Sequence, residues 1–127
     1  MNSILGEGQG VRPIIMEFRK QKAIYLQIAD RLMEQILSGE LKEEDRVPSV
    51  RDVAAAMGVN PNTVMRTFEF LQNEEIIYTR RGVGYFVSPD AKKVILAEQR
   101  REFLEEELPL IKQKMQMLGI DNSELTR

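Results

Sequence analysis

Ser49-Val50-Arg51-Asp52-Val53-Ala54-Ala55-Ala56-Met57-Gly58-Val59-Asn60-Pro61-Asn62-Thr63-Val64-Met65-Arg66 packs two helix starts and one tight turn into 18 residues. Ser49 followed three residues later by Asp52 is a capping signature, with a hydroxyl acceptor at the N-cap and an acid in the first turn. The spacing predicts a short Ala-rich helix over 50–57, closed by Gly58 in the left-handed conformation. Asn60 is a second N-cap, and Pro61 suits the first helical position because its missing N–H would be unpaired there anyway. The helix that follows runs to about Asn73, with Val64, Phe68 and Leu71 on one face. A helix, a Gly-containing turn and a second helix with a polar, exposed start is the sequence form of a helix-turn-helix.

The same reading extends in both directions. Upstream, Ile24, Ile28, Leu32 and Ile36 recur every four residues beside Ala29, Met33 and Leu37, which predicts an amphipathic helix ended by Gly39. Glu40 to Arg46 reads as a charged connector, and Val47-Pro48 as extended chain. Residues 1–13 read as a flexible arm, and Ile14 to Phe18 as a short strand or packed leader. Downstream, Ile76 to Thr79 has strand character, Arg80-Arg81-Gly82-Val83-Gly84 makes a turn, and Tyr85-Phe86-Val87 returns as a second strand. Ser88-Pro89 marks a boundary. Helix formers then dominate over 90–118 with Gly119 as the stop, and Pro109 is expected to end or kink the helix, giving two helices at roughly 90–107 and 109–118. The fold class is therefore α+β and mostly α: a winged helix-turn-helix domain at 14–88 followed by a short C-terminal helical segment at 89–127.

Composition narrows the function. The 127 residues include neither cysteine nor histidine, which removes thiolate nucleophiles, Cys or His metal sites and imidazole proton transfer. The chain is thus expected not to be an enzyme, and no cofactor is implied. The longest apolar run, Val53 to Met57, is far shorter than the roughly 20 residues of a membrane helix. Met1 to Gly10 has neither the charged nor the apolar region of a secretory signal, which predicts a soluble cytoplasmic protein with no membrane partner. The net charge of −2 argues against nucleic acid at first sight. Phosphate attraction is local, however, acting within a Debye length of about 8 Å, so a few converging arginines suffice.

Those arginines have candidates. A recognition helix places its N-terminal residues on base edges and phosphates in the major groove. Here that turn is Asn60-Pro61-Asn62-Thr63, with Arg66 one turn on. Arg51 opens the preceding helix as a candidate phosphate clamp. Arg80 and Arg81 stand beside Gly82 and Gly84 at a hairpin tip, where a wing can enter the minor groove. The plainer alternative is that Asn60 only caps its helix while Arg51, Asn62, Thr63 and Arg66 are solvated, and that the glycines only serve the hairpin. A winged helix used solely as a protein-interaction module remains the competing function.

At this point the residues resemble a known family. Tyr25 to Ile28, Ile36 to Leu41, Arg46-Val47-Pro48-Ser49-Val50-Arg51, Gly58 to Val64 and Arg81 to Val87 are similar, in order, to the winged helix-turn-helix of GntR-type bacterial transcription regulators. Asn60-Pro61-Asn62-Thr63-Val64 and the short tail resemble the YtrA-like subfamily. The resemblance implies DNA contact at Arg51, Asn62, Thr63 and Gly82, with Arg66 and Arg81 as further positions. It also implies a dimeric repressor of a nearby operon encoding an ABC transporter. Many family members carry Arg where Pro61 and Met65 stand, so base readout here is expected to rest on fewer arginines.

In the tail, Leu104, Leu108, Ile111, Met115 and Leu118 follow the alternating four-and-three spacing of a helix–helix seam, and Phe103, Leu110 and Met117 widen it. This stripe predicts homodimerisation, with two recognition helices on double-stranded DNA at a palindromic operator. The alternative is that it packs back on its own chain. The tail is too short for the large effector domains of other GntR branches, and no polar constellation in it names an effector. Glu105-Glu106-Glu107 is expected to be a solvated face and not a metal site.

Overall fold

A computed structural model describes residues 22–126. The expected arm at 1–13 and the strand or leader at 14–18 lie outside the described residues. The described residues divide into two compact units, 22–96 and 97–126.

The first unit is built from α1 (Ile24–Ser38), α2 (Val50–Met57), α3 (Pro61–Asn73), β1 (Ile77–Arg80), β2 (Gly84–Val87) and the first turns of α4 (Ala91–Glu102). The expected punctuation is where the chain bends. The Ser49 side chain accepts from the Asp52 N–H at 3.0 Å, and the Asn60 side chain accepts from the Asn62 N–H at 2.7 Å. Gly39 and Gly58 end α1 and α2 in the left-handed conformation. These local devices fix where α2 and α3 begin, and therefore how tight the turn between them is.

Tertiary packing then orients the helices. Val64, Phe68 and Leu71 of α3 are fully buried against Ile28, Ala29, Leu32 and Ile36 of α1 and Val53 and Ala54 of α2. Thr67 is the buried polar residue of this core. Its Oγ1 lies 2.8 Å from the Tyr25 carbonyl and 3.2 Å from the Thr63 carbonyl, so its single proton goes chiefly to α1. Ala91 and Ile95 of α4 join the same core. The start of α4 thus packs with the winged domain, beyond the boundary expected at 88.

The hairpin pairs antiparallel in the register Ile77↔Val87, Tyr78↔Phe86, Thr79↔Tyr85 and Arg80↔Gly84. It has a third participant that the connector reading of Glu40 to Arg46 does not contain. The Glu44 N–H donates to the Val87 carbonyl (2.8 Å), the Val87 N–H to the Asp45 carbonyl (3.0 Å) and the Val47 N–H to the Tyr85 carbonyl (2.9 Å), with Arg46 bridged to Phe86. Side chains alternate across such a ladder. Val47, Val87 and Ile77 accordingly enter the core, while Arg46, Tyr78, Arg80, Gly84 and Phe86 share the outer face.

In the second unit the helix is disturbed before Pro109 but does not end there. A π-helical turn, Phe103–Glu107, stands between α4 and α5 (Leu108–Leu118), and the Leu108 N–H donates to the Phe103 carbonyl. Proline lacks the N–H of an α-helical bond and crowds the preceding turn; a widened turn accommodates both, so the helical path is loosened and not ended. Gly119 closes α5 in the left-handed conformation, and a 3₁₀ turn follows at Asn122–Thr126. No described residue of 97–126 is buried.

Candidate nucleic-acid interface

The exposed start of α3 is set by its cap. Asn60, Pro61 and Asn62 are exposed and Thr63 is half-buried, while Val64 directly behind them is sealed in the core. A polar turn on a rigid base is thereby presented outward, with backbone N–H groups and the positive end of the helix dipole at its tip. Arg66, one turn along, is exposed but not adrift: its guanidinium lies 4.3 Å from the centre of the Tyr25 ring on α1. Tyr25 in turn meets Phe70 edge-on at 6.3 Å. Arg51 is exposed in the first turn of α2, immediately after the Ser49 cap.

The hairpin arginines have different environments. Arg81, Gly82 and Val83 form the exposed tip, and Gly82 adopts a φ of +77° that an L side chain rarely takes. Arg80 stacks over Phe86 at 4.3 Å, has Nη2 3.3 Å from the Tyr78 hydroxyl and lies 3.9 Å from the Glu44 carboxylate. The Tyr78 hydroxyl itself donates to Glu44. Glu44 is thus tied to the wing, although its residue type suggests a solvated connector.

Sequence reasoning missed two members of this surface. Arg46 is exposed, and a Cβ added to Gly84 would sit 3.1 Å from its Nε. Tyr25 is the platform under Arg66. The extended reading of Val47-Pro48 was the available signal for Arg46, since a strand-like residue before Val47 must face away from the core. Nothing in the residue pattern pairs Tyr25 with Arg66.

The tail residues are placed without a core of their own. Phe103, Leu104, Leu110, Met117 and Leu118 are exposed, and Leu108, Ile111 and Met115 are half-buried. Arg101 binds Glu98 (2.6 Å), Glu105 (3.0 Å) and Glu106 (3.4 Å). Its hydrogen bond holds the Glu98 carboxyl below the usual carboxylate range, and the same bonds hold the guanidinium proton more tightly. Asp121 is lowered likewise, chiefly by the Ser123 hydroxyl at 2.5 Å. Among the described residues no cluster of acids has the arrangement of a metal site, and no helix is long and apolar enough to cross a membrane.

Two packed helices joined by a tight turn, the second with an exposed polar start, followed by a hairpin, define a winged helix-turn-helix. The chain belongs to the GntR family of bacterial regulatory proteins, which matches residues 24–87, and within it to the YtrA-like subfamily. It is 37% identical over 109 residues to the HTH-type transcriptional regulator YhcF of Bacillus subtilis, covering 86% of this chain and 88% of that one. It is 36% identical over 103 residues to the HTH-type transcriptional repressor YtrA of Bacillus subtilis, covering 81% and 73%. A crystal structure of a GntR-family transcriptional regulator from Bacteroides thetaiotaomicron matches with 46% identity and a TM-score of 0.69, covering 82% of this chain and 90% of that one. The family and these relatives are transcription regulators and not enzymes, as expected from the missing Cys and His.

Proposed function

We propose that the chain is a homodimeric repressor acting in the cytoplasm on a palindromic operator in double-stranded DNA. The DNA-binding part is the winged domain expected at 14–88, and the segment at 89–127 pairs with a second copy. The start of α3, at Asn60, Pro61, Asn62, Thr63 and Arg66, reads the major groove. Arg51 holds the backbone, and the wing at Arg80, Arg81, Gly82 and Gly84 reaches the minor groove. The observation that carries the DNA reading is the exposed polar turn of α3 mounted directly on Val64 and Phe68, both fully buried. Such a mount holds recognition side chains rigidly at a protein surface.

The dimer is supported by the tail. Its described residues from 97 onward include six exposed large apolar side chains, Phe103, Leu104, Leu110, Met117, Leu118 and Leu125, and none that is buried. A second copy removes that surface from water, with Leu104, Leu108, Ile111, Met115 and Leu118 on the seam and Phe103 at its edge. Repression is supported by the likeness to the repressor YtrA, and the subfamily resemblance points to an ABC-transporter operon as the target.

Footprinting of the purified protein on the DNA upstream of its own gene tests the reading. Two protected half-sites centred about 10–10.5 base pairs apart, or a multiple of that, are expected. A chain that protects nothing and binds without salt dependence is a protein-interaction module instead.

A further inference from the structure

The outer face of the wing carries two arginines in opposite electrostatic situations. Arg80 is occupied: it covers Phe86, leans on Tyr78 and lies 3.9 Å from the Glu44 carboxylate, so much of its charge is already answered. Arg46 shares that face and is exposed, and among the described residues it makes no hydrogen bond or ion pair through its side chain. Its backbone is nevertheless fixed. The residues on both sides are hydrogen-bonded to β2, through the Asp45 carbonyl and the Val47 N–H, and Arg46 itself is bridged to Phe86.

The side chain lies close to β2 as well. Gly84 has a φ of +142°, and a Cβ there would come within 3.1 Å of Arg46 Nε and 3.3 Å of Nη2. The missing side chain at Gly84 is therefore the slot in which the guanidinium lies. A guanidinium has only donors, in a planar fork that matches phosphate. Arg46 is also continuous with the proposed interface. Val47, Pro48 and Ser49 alone lead from it to the capped start of α2, where Arg51 is exposed.

We propose that Arg46, seated against Gly84 next to the tip of the wing, is a further contact to the DNA backbone phosphates, independent of base sequence. This rests on the DNA-binding reading above, and the test separates the two. Full-length wild type, Arg46→Gln and Arg46→Lys are titrated by fluorescence anisotropy against a duplex from the gene's own upstream region. A scrambled duplex of equal length is run in parallel, from about 50 to 200 mM salt. Arg46→Gln is expected to weaken binding about five- to tenfold on both duplexes, with an unchanged melting curve. It is also expected to flatten the slope of log K against log salt by about 0.9 for each protomer bound. Arg46→Lys keeps the wild-type slope. Wild-type binding with an unaltered slope in Arg46→Gln overturns the proposal, and so does a loss confined to the upstream duplex. Wild type that binds neither duplex overturns the DNA-binding reading itself.

Discussion

The Arg66 guanidinium rests 4.3 Å from the centre of the Tyr25 ring, so an exposed arginine of α3 is held by a residue of α1. The two helices are joined at the same place by the Thr67 hydroxyl, 2.8 Å from the Tyr25 carbonyl. The direction of Arg66 is therefore set by helix packing and not by α3 alone. A cation–π contact at an exposed site contributes about 0.5–1 kcal/mol. Tyr25→Ala is expected to weaken operator binding about three- to fivefold while shifting the urea midpoint only slightly, whereas Tyr25→Phe leaves both unchanged. Anisotropy titrations beside equilibrium unfolding check this, and equal affinities for all three proteins would refute it.

Asn60 serves both as a cap and as a candidate DNA contact, and two substitutions separate the roles. Asn60→Ala removes the acceptor for the Asn62 N–H and is expected to cost about 1 kcal/mol of stability. Asn60→Asp keeps the cap, and its charge suits the helix dipole, so stability is retained. The same carboxylate repels phosphate, so DNA affinity should fall. Unfolding curves and gel shifts on both variants give the answer; undiminished binding by Asn60→Asp removes this residue from the interface.

The seam is tested by putting charge into it. Leu104→Lys combined with Ile111→Lys is expected to give a monomer by sedimentation velocity, with the winged domain still folded by NMR. Losing the linked second half-site lowers operator affinity about a hundredfold. A variant that remains dimeric places the contact elsewhere.

Acid should act on the tail through Glu98. Its carboxyl is lowered chiefly by the hydrogen bond from Arg101, so the folded chain favours the charged form. The stabilisation is therefore present at neutral pH, where both states are ionised, and is lost as pH falls through the lowered folded-state value. The pair is exposed, so the effect is small. Carboxyl NMR should find Glu98 titrating below a typical glutamate, and Arg101→Ala should return it to the ordinary range. An unshifted Glu98 in the wild type would contradict the geometry.

The parts of the fold legible in sequence are those governed by single residues acting locally. Ser49, Asn60 with Pro61, Gly39 and Gly58 each fix a bend through their own hydrogen bonds or backbone freedom, and α2 and α3 begin and end where they predict. The wing strands follow from apolar runs on either side of Gly82. The pairing of residues 44–47 with β2 was hidden because Glu43-Glu44-Asp45 reads as a solvated run. Glu44 also takes a φ of +70°, which its residue type does not suggest. The ties of Arg80 to Phe86, Tyr78 and Glu44 depend on which pleat each residue occupies, so the charge pattern could suggest a wing arginine but not its occupied state. Pro109 signalled a disturbance correctly; whether the chain would break or widen is decided by neighbouring carbonyls.

Arg101 reaches Glu105 and Glu106 together, four and five residues ahead. On a regular α-helix a residue five positions on is rotated by about 140° and lies nearly on the far side. The extra residue of the Phe103–Glu107 turn brings it back within reach. This ion cluster is thus a phase marker for the tail, which behaves like a helix carrying a one-residue insertion. Deleting any one residue from 103–107 would restore an unbroken α period. It would also leave the side chains of 97–102 in their present phase against those of α5, because the widened turn already absorbs the rotation of one residue. The apolar stripe of this segment therefore keeps one phase across the widened turn, which takes up an additional residue without turning the helix beyond it.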